Sequence, residues 1–203
     1  MEDSIFDRLF EPSALADVED ELNLAIKGVE GTERSHLYEL LAFTVRQMPG
    51  RQAEATELQR KALALLDSED DRLSLVRVCN RVSSRCAVLD RLEEADFYSR
   101  RAVELCPRDS PYLADSLLGL AVTLTSAGRP EEALAACDER RALGDEYDDL
   151  LDHSLRAYSL YEAGRLEEAE KAFEVLLEVD FDQGQHDDIV RHLEDIRKRL
   201  GRT

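Results

Sequence analysis

The chain has 203 residues, 26 of them Lys or Arg and 45 Asp or Glu, which gives a formal net charge of −19. Nucleic acid and anionic membrane surfaces are thereby excluded as natural partners, because their phosphates would be repelled. Apolar content of 43% is near the globular average. One domain or one repeat array is expected, and the dominance of Ala, Leu, Glu and Arg, all strong helix formers, predicts an all-α protein.

The first 35 residues read as an N-terminal segment followed by a capping helix. MEDSIFDRLFEP is acidic and lacks a long apolar run, so a secretory signal is not expected. No stretch approaches a membrane span, and the expected address is cytoplasmic. Ile5, Phe6, Leu9 and Phe10 share one face of a short helix. That face either tucks onto the first helix pair or acts as a self-peptide, occupying a groove or mediating a homodimer. Leu15, Val18, Leu22, Ala25, Ile26 and Val29 follow with helical spacing. Gly31 and Thr32 then offer a stop and a new N-cap.

The middle of the chain repeats itself. AGRPEEALAACDE (Ala127 to Glu139) returns as AGRLEEAEKAFEV (Ala163 to Val175). Ala133 and Ala169 anchor the two phrases, and Ala95 and Ala55 take the same slot upstream, with spacings of 40, 38 and 36 residues. Four units result, at about 36–70, 72–109, 111–147 and 148–183. Each reads as two helices and a tight turn. In the third, Leu117, Leu120, Ala121 and Leu124 make one helical face. Gly128 can end that helix at positive φ, and Pro130 suits the first turn of the next. Glu131 and Glu132 lie at its positive end. Ala133 faces back, and its small side chain lets two backbones approach. The fourth unit repeats this with Gly164, Glu167, Glu168, Ala169 and Phe173. Residues 184–203 form a last helix on Ile189, Leu193, Ile196 and Leu200, a cap for the apolar end of a stack.

On these residues the chain resembles the tetratricopeptide repeat (TPR) family over roughly His36 to Gln183. The family's alanine at the twentieth position is matched in all four units. Its small eighth residue is matched at Ala121 and Ala157, with Ser83 in the second unit and Phe43 in the first. The resemblance implies a right-handed α-solenoid of stacked antiparallel helix pairs, with the first helix of each pair lining a concave groove. Carried over by position, the groove-facing residues include Leu40, Leu41 and Thr44, then Arg77, Asn80, Arg81 and Ser84. Leu118 and Val122 follow in the third unit, and Leu155, Tyr158 and Tyr161 in the fourth. Gln47, Met48, Ala87, Val88, Asp115, Gly119, Leu151 and Ser154 occupy further inward positions. The family's carboxylate clamp is not reproduced, since its positions fall on Leu40, Thr44, Arg81, Asp115 and Gly119.

Arg77 and Arg81 lie one helical turn apart with Arg85 a turn further on. They either focus an anionic ligand, such as an acidic segment or a C-terminal carboxylate, or pair with acidic neighbours. The four cysteines form no CxxC and read as small core hydrophobes. The histidines are dispersed, and neither GxxxxGK[ST] nor GxGxxG occurs. No enzyme, metal or cofactor is expected. The leading expectation is an adaptor that binds a peptide segment of another protein. The alternatives are a small acidic chaperone masking an apolar segment of a secreted or assembling client, and a subunit self-associating through Phe6 and Phe10.

Overall fold

The computed structural model describes residues 2–66, 68–144, 150–179 and 183–202. Helices make up most of the described chain, and no strand occurs among the described residues. In order they are α1 (Glu2–Arg8), α2 (Leu15–Ala25), α3 (Gly31–Arg46), α4 (Gln52–Leu63), α5 (Glu69–Val88), α6 (Leu92–Leu105), α7 (Tyr112–Ser126), α8 (Pro130–Arg141), α9 (Leu150–Glu162), α10 (Leu166–Leu176) and α11 (Gln183–Arg199), with 3-10 turns at Pro12–Ala14 and Ile26–Gly28. Two compact units are distinguished. One comprises Met1–Cys79 with Leu105–Pro107, the other Asn80–Glu104 with Arg108–Thr203, and the division passes through α5.

In the first unit α3 packs on α2 and on α4. Leu9, Val18, Leu22, Phe43 and Val45 are wholly buried there. The α3–α4 interface is pinned by two buried polar contacts. Ser35 Oγ donates to the Ala62 carbonyl at 2.9 Å, and Gln59 Nε2 donates to Glu39 Oε1 at 2.8 Å. Thr32 does not cap α3. The N-cap is Glu30, the helix begins at Gly31, and the Thr32 hydroxyl is instead hydrogen-bonded to Asp71. A cross-link to another helix satisfies that hydroxyl where the local cap was expected.

In the second unit α7 packs on α8, α8 on α9, α9 on α10, and α10 on α11. The recurring phrase is the turn between paired helices. Gly128 and Gly164 adopt φ of 67° and 72°. Behind each, the N–H of the following arginine bonds five residues back, Arg129 to the Leu124 carbonyl and Arg165 to the Leu160 carbonyl, both at 2.9 Å. These are Schellman closures, which satisfy carbonyls that the helix end would leave unpaired. Arg91 closes on Cys86 identically, with Asp90 taking the left-handed position at φ 58°. Asp tolerates that region better than most side chains, so the turn survives without glycine.

The arginine of the phrase also joins charges. Arg51, Arg91, Arg129 and Arg165 each donate to the glutamate three residues on, Glu54, Glu94, Glu132 and Glu168, at 2.6–2.7 Å. Arg51 additionally donates to Glu19 on α2 at 2.7 Å, Arg129 to Asp96 on α6 at 2.7 Å, and Arg165 pairs with Glu131 on α8 at 3.5 Å. A single exposed pair contributes at most about 1 kcal/mol. Here the second guanidinium arm reaches an earlier helix, so one residue ties a turn to its neighbour. The hydrogen bonds from these arginines hold Glu54, Glu132 and Glu168 below the ordinary glutamate range.

The alanines behave as their spacing predicts. Ala55, Ala95, Ala133 and Ala169 are all wholly buried. Larger side chains there would force paired helices apart. Phe173 and Tyr98 supply the bulk beside them, both wholly buried. Ile189, Leu193 and Ile196 bury the inner face of α11 against Leu160, Phe173 and Leu176. Arg197 on its outer side pairs with Glu170 and Glu174 at 2.9 and 2.8 Å.

Candidate functional site

A hollow of about 410 Å³ opens in the second unit between α5 and α7, closed at one end by Leu151 of α9. From α5 come Asn80, Ser83, Ser84, Ala87 and Val88; from α7 come Asp115, Leu118, Gly119, Val122 and Thr123. The helical repeat explains the grouping, since residues three and four apart share a face. Asn80 Nδ2 donates to Ser116 Oγ at 3.1 Å and holds the two walls together at one end. Three large apolar side chains on the hollow face water: Val88 is 74% exposed, Leu151 54% and Val122 38%. Asp115 is its one ionisable lining residue, so the lining is otherwise uncharged.

Nine of the inward positions expected from the sequence meet here: Asn80, Ser84, Leu118 and Val122, with Ala87, Val88, Asp115, Gly119 and Leu151. Arg77, Arg81 and Arg85 are exposed on α5, and each is engaged by a partner. Leu40, Leu41 and Thr44 depart from expectation. All three are buried in the first unit, and the Thr44 hydroxyl donates to the Leu40 carbonyl at 2.9 Å rather than facing a ligand. Leu155 is likewise turned into the core, against Leu120, Ala121 and Cys137.

Tyr158 and Tyr161 are taken up by the last helix. Their hydroxyls donate to Asp188 at 2.6 Å and Asp195 at 2.8 Å. Their rings meet His192 edge-on at 5.1 and 5.0 Å, and His192 stacks on Phe173 at 5.2 Å. Burial, reinforced by the bond to Asp188, pushes the Tyr158 hydroxyl up to about 12. A second hollow of about 520 Å³ lies beside this cluster, between Leu151, Ser154 and Tyr158 of α9, Leu176 of α10, and Gly184, Gln185, Asp188 and Ile189 at the start of α11. Sequence reasoning treated α11 purely as a cap and missed these contributions. A signal was present in the separations: the tyrosine–aspartate bonds span 30 and 34 residues, close to the 34 of Thr125–Ser159 and the 36 of Asn80–Ser116. The carboxylates of α11 therefore stand about where a further first helix would bring its polar residues. Ser83 and Thr123, buried at the floor of the first hollow, were also missed, because they lie at the helix–helix margin.

All four cysteines are buried and unbridged. Burial drives the Cys86 and Cys137 thiols up to about 12, which suits packing rather than nucleophilic chemistry. No group of three or more metal-ligating side chains occurs among the described residues. No helix among them is long and apolar enough to cross a membrane. No protein-family model matches the chain, and no curated protein does either.

Proposed function

We propose that the chain is a TPR-like binding module, its helix pairs following one another as in a right-handed α-solenoid, that holds a segment of another protein in the hollow between α5 and α7. The observation that carries this reading is the convergence of Val88, Val122 and Leu151, exposed on three helices around one concavity. In a chain with 35% charged residues, a concave apolar patch of this kind marks a contact surface. Its size lies within the range of about 300–1,000 Å³ typical of pockets that fix a ligand group. Apolar anchors seated between helices, with a few polar side chains at the rim, are how helical grooves take peptide segments. The role is binding without catalysis, and the proposed setting is the cytoplasm, in keeping with the unbridged cysteines.

The test is selection of a random peptide library displayed on phage against the immobilised protein. Enriched peptides bind the wild type and lose affinity for the Val122→Glu variant, which places a charge on the hollow's wall. Enrichment of no peptide, or of peptides indifferent to Val122→Glu, refutes the reading.

A further inference from the structure

The first unit carries an occupant on the helical face that stands open in the second. Leu9 and Phe10, at the end of the N-terminal segment, lie on α3: Gln47 Nε2 donates to the Leu9 carbonyl at 2.9 Å, and the Phe10 ring meets Phe43 at 5.1 Å. Phe6 packs on Phe10 at 5.4 Å, and Ile5, Phe6 and Leu9 are buried. The spacing between the first two repeats, Ala55 to Ala95, is 40 residues. Applied to the two contacted residues of α3, it carries Phe43 onto Ser83 and Gln47 onto Ala87. Both Ser83 and Ala87 line the open hollow. Where α3 places a phenyl ring and an amide against the segment, α5 has the small Ser83, whose hydroxyl donates to the Ala95 carbonyl at 2.9 Å, and the methyl of Ala87, so neither side chain fills the hollow that both line.

We infer that the partner of the hollow is a short acidic amphipathic segment of the same make as residues 2–11, with an aliphatic–aromatic pair such as Leu9–Phe10 as its anchor. This rests on the hollow being a binding site, and it adds what the site accepts. Shape and charge agree. An aromatic side chain brings a large apolar surface in one rigid group, and the hollow offers Val88, Leu118 and Val122 to it. The chain's own segment carries Glu2, Asp3, Asp7 and Glu11 against Arg8 alone. Arg81 and Arg85, exposed on α5 and each already holding a contact of its own, set positive charge beside the hollow in a chain of net charge −19, and an acidic flank lies on that side, away from Asp115 on the α7 wall.

The probe is a fluorescent synthetic peptide of residues 1–12, MEDSIFDRLFEP, titrated with the intact protein, whose own segment already covers α3. Saturable binding is expected. Leu9→Ala with Phe10→Ala in the peptide, or Val122→Glu or Ser84→Trp in the protein, weakens it about tenfold or more. Val122 and Ser84 are both exposed, so these variants keep the helical spectrum. No saturation by about 1 mM protein, or equal affinity for a scrambled peptide, overturns the inference. So does binding that ignores both hollow variants but is lost in Gln47→Ala, because the peptide is then exchanging with its own counterpart on α3. Library-selected peptides that bind the hollow without an aliphatic–aromatic pair leave the binding function standing and overturn only this account of its ligand.

Discussion

Two glycines nine residues apart respond to alanine with opposite signs. Gly119 lies inside α7, whereas Gly128 ends the same unit's first helix at φ 67°. An added Cβ meets nothing within 4 Å at either site, so neither substitution clashes and only backbone conformation differs. At Gly119, alanine relieves the glycine penalty of a helix interior, a gain of about 0.5–1 kcal/mol. At Gly128, alanine must hold the left-handed region at about 1–2 kcal/mol. Its stiffer unfolded chain returns only about 0.4–1 kcal/mol of that, so the net loss is about 1 kcal/mol. The two variants therefore separate by about 1.5–2 kcal/mol, which for a chain of this size is several degrees in melting temperature. Urea unfolding followed by far-ultraviolet circular dichroism reads the difference directly, and Gly128→Asn lies between, because Asn tolerates positive φ. Shifts of the same sign, or a Gly128→Ala variant as stable as the wild type, would refute the assignment of the phrase to a Schellman turn.

Three further outcomes are expected. Asp152 is wholly buried between Arg141 at 2.7 Å and Arg140 at 3.5 Å, and Arg140 is itself 3% exposed; Asp152→Ala lowers the urea midpoint by an amount equivalent to about 3–5 kcal/mol, and Asp152→Leu with Arg140→Met recovers most of it. Because thiolate is the reactive form and the Cys86 and Cys137 thiols are driven up to about 12, a thiol reagent at pH 8 labels the native chain far more slowly than the guanidinium-unfolded one; rapid native labelling contradicts the burial. Glu132 is held below its ordinary value by hydrogen bonds from Arg129 and Arg100, so its stabilisation is present above the unfolded glutamate value of about 4.3 and is lost as pH falls through the lower folded value. The stability gap between wild type and Glu132→Gln should accordingly close on acidification below that value, and a gap that widens rules out the linkage.

What could be read from the residues alone was the local chemistry. Gly128, Pro130 and Ala133 announce a stop, a start and a close approach within six positions, and each behaves so because its constraint is set by its own backbone or its own size. Asp90 was harder, since the same left-handed turn is made there by a residue with a side chain. The groove was only half readable. The resemblance to the repeat family put Asn80, Ser84, Leu118 and Val122 on inward faces, and the structure brings them together. The same carry-over by position put Leu40, Leu41 and Thr44 on such a face, yet they are buried. Tyr158 and Tyr161 are claimed by Asp188 and Asp195 across a separation that no periodicity within α9 encodes. Which faces stay open is decided by what packs over them, and that is a property of tertiary packing rather than of the helix that carries the face.

The arginine that follows the turns at Gly128 and Gly164 has a consequence beyond stability. A coding segment for one helix pair brings its own bend and, in the next residue, its own fastening to the pair before it. Duplicating such a segment yields a longer protein whose new junction is already made, needing only an acidic side chain at the matching place upstream. A lineage built this way can lengthen or shorten by whole units without reinventing the joints.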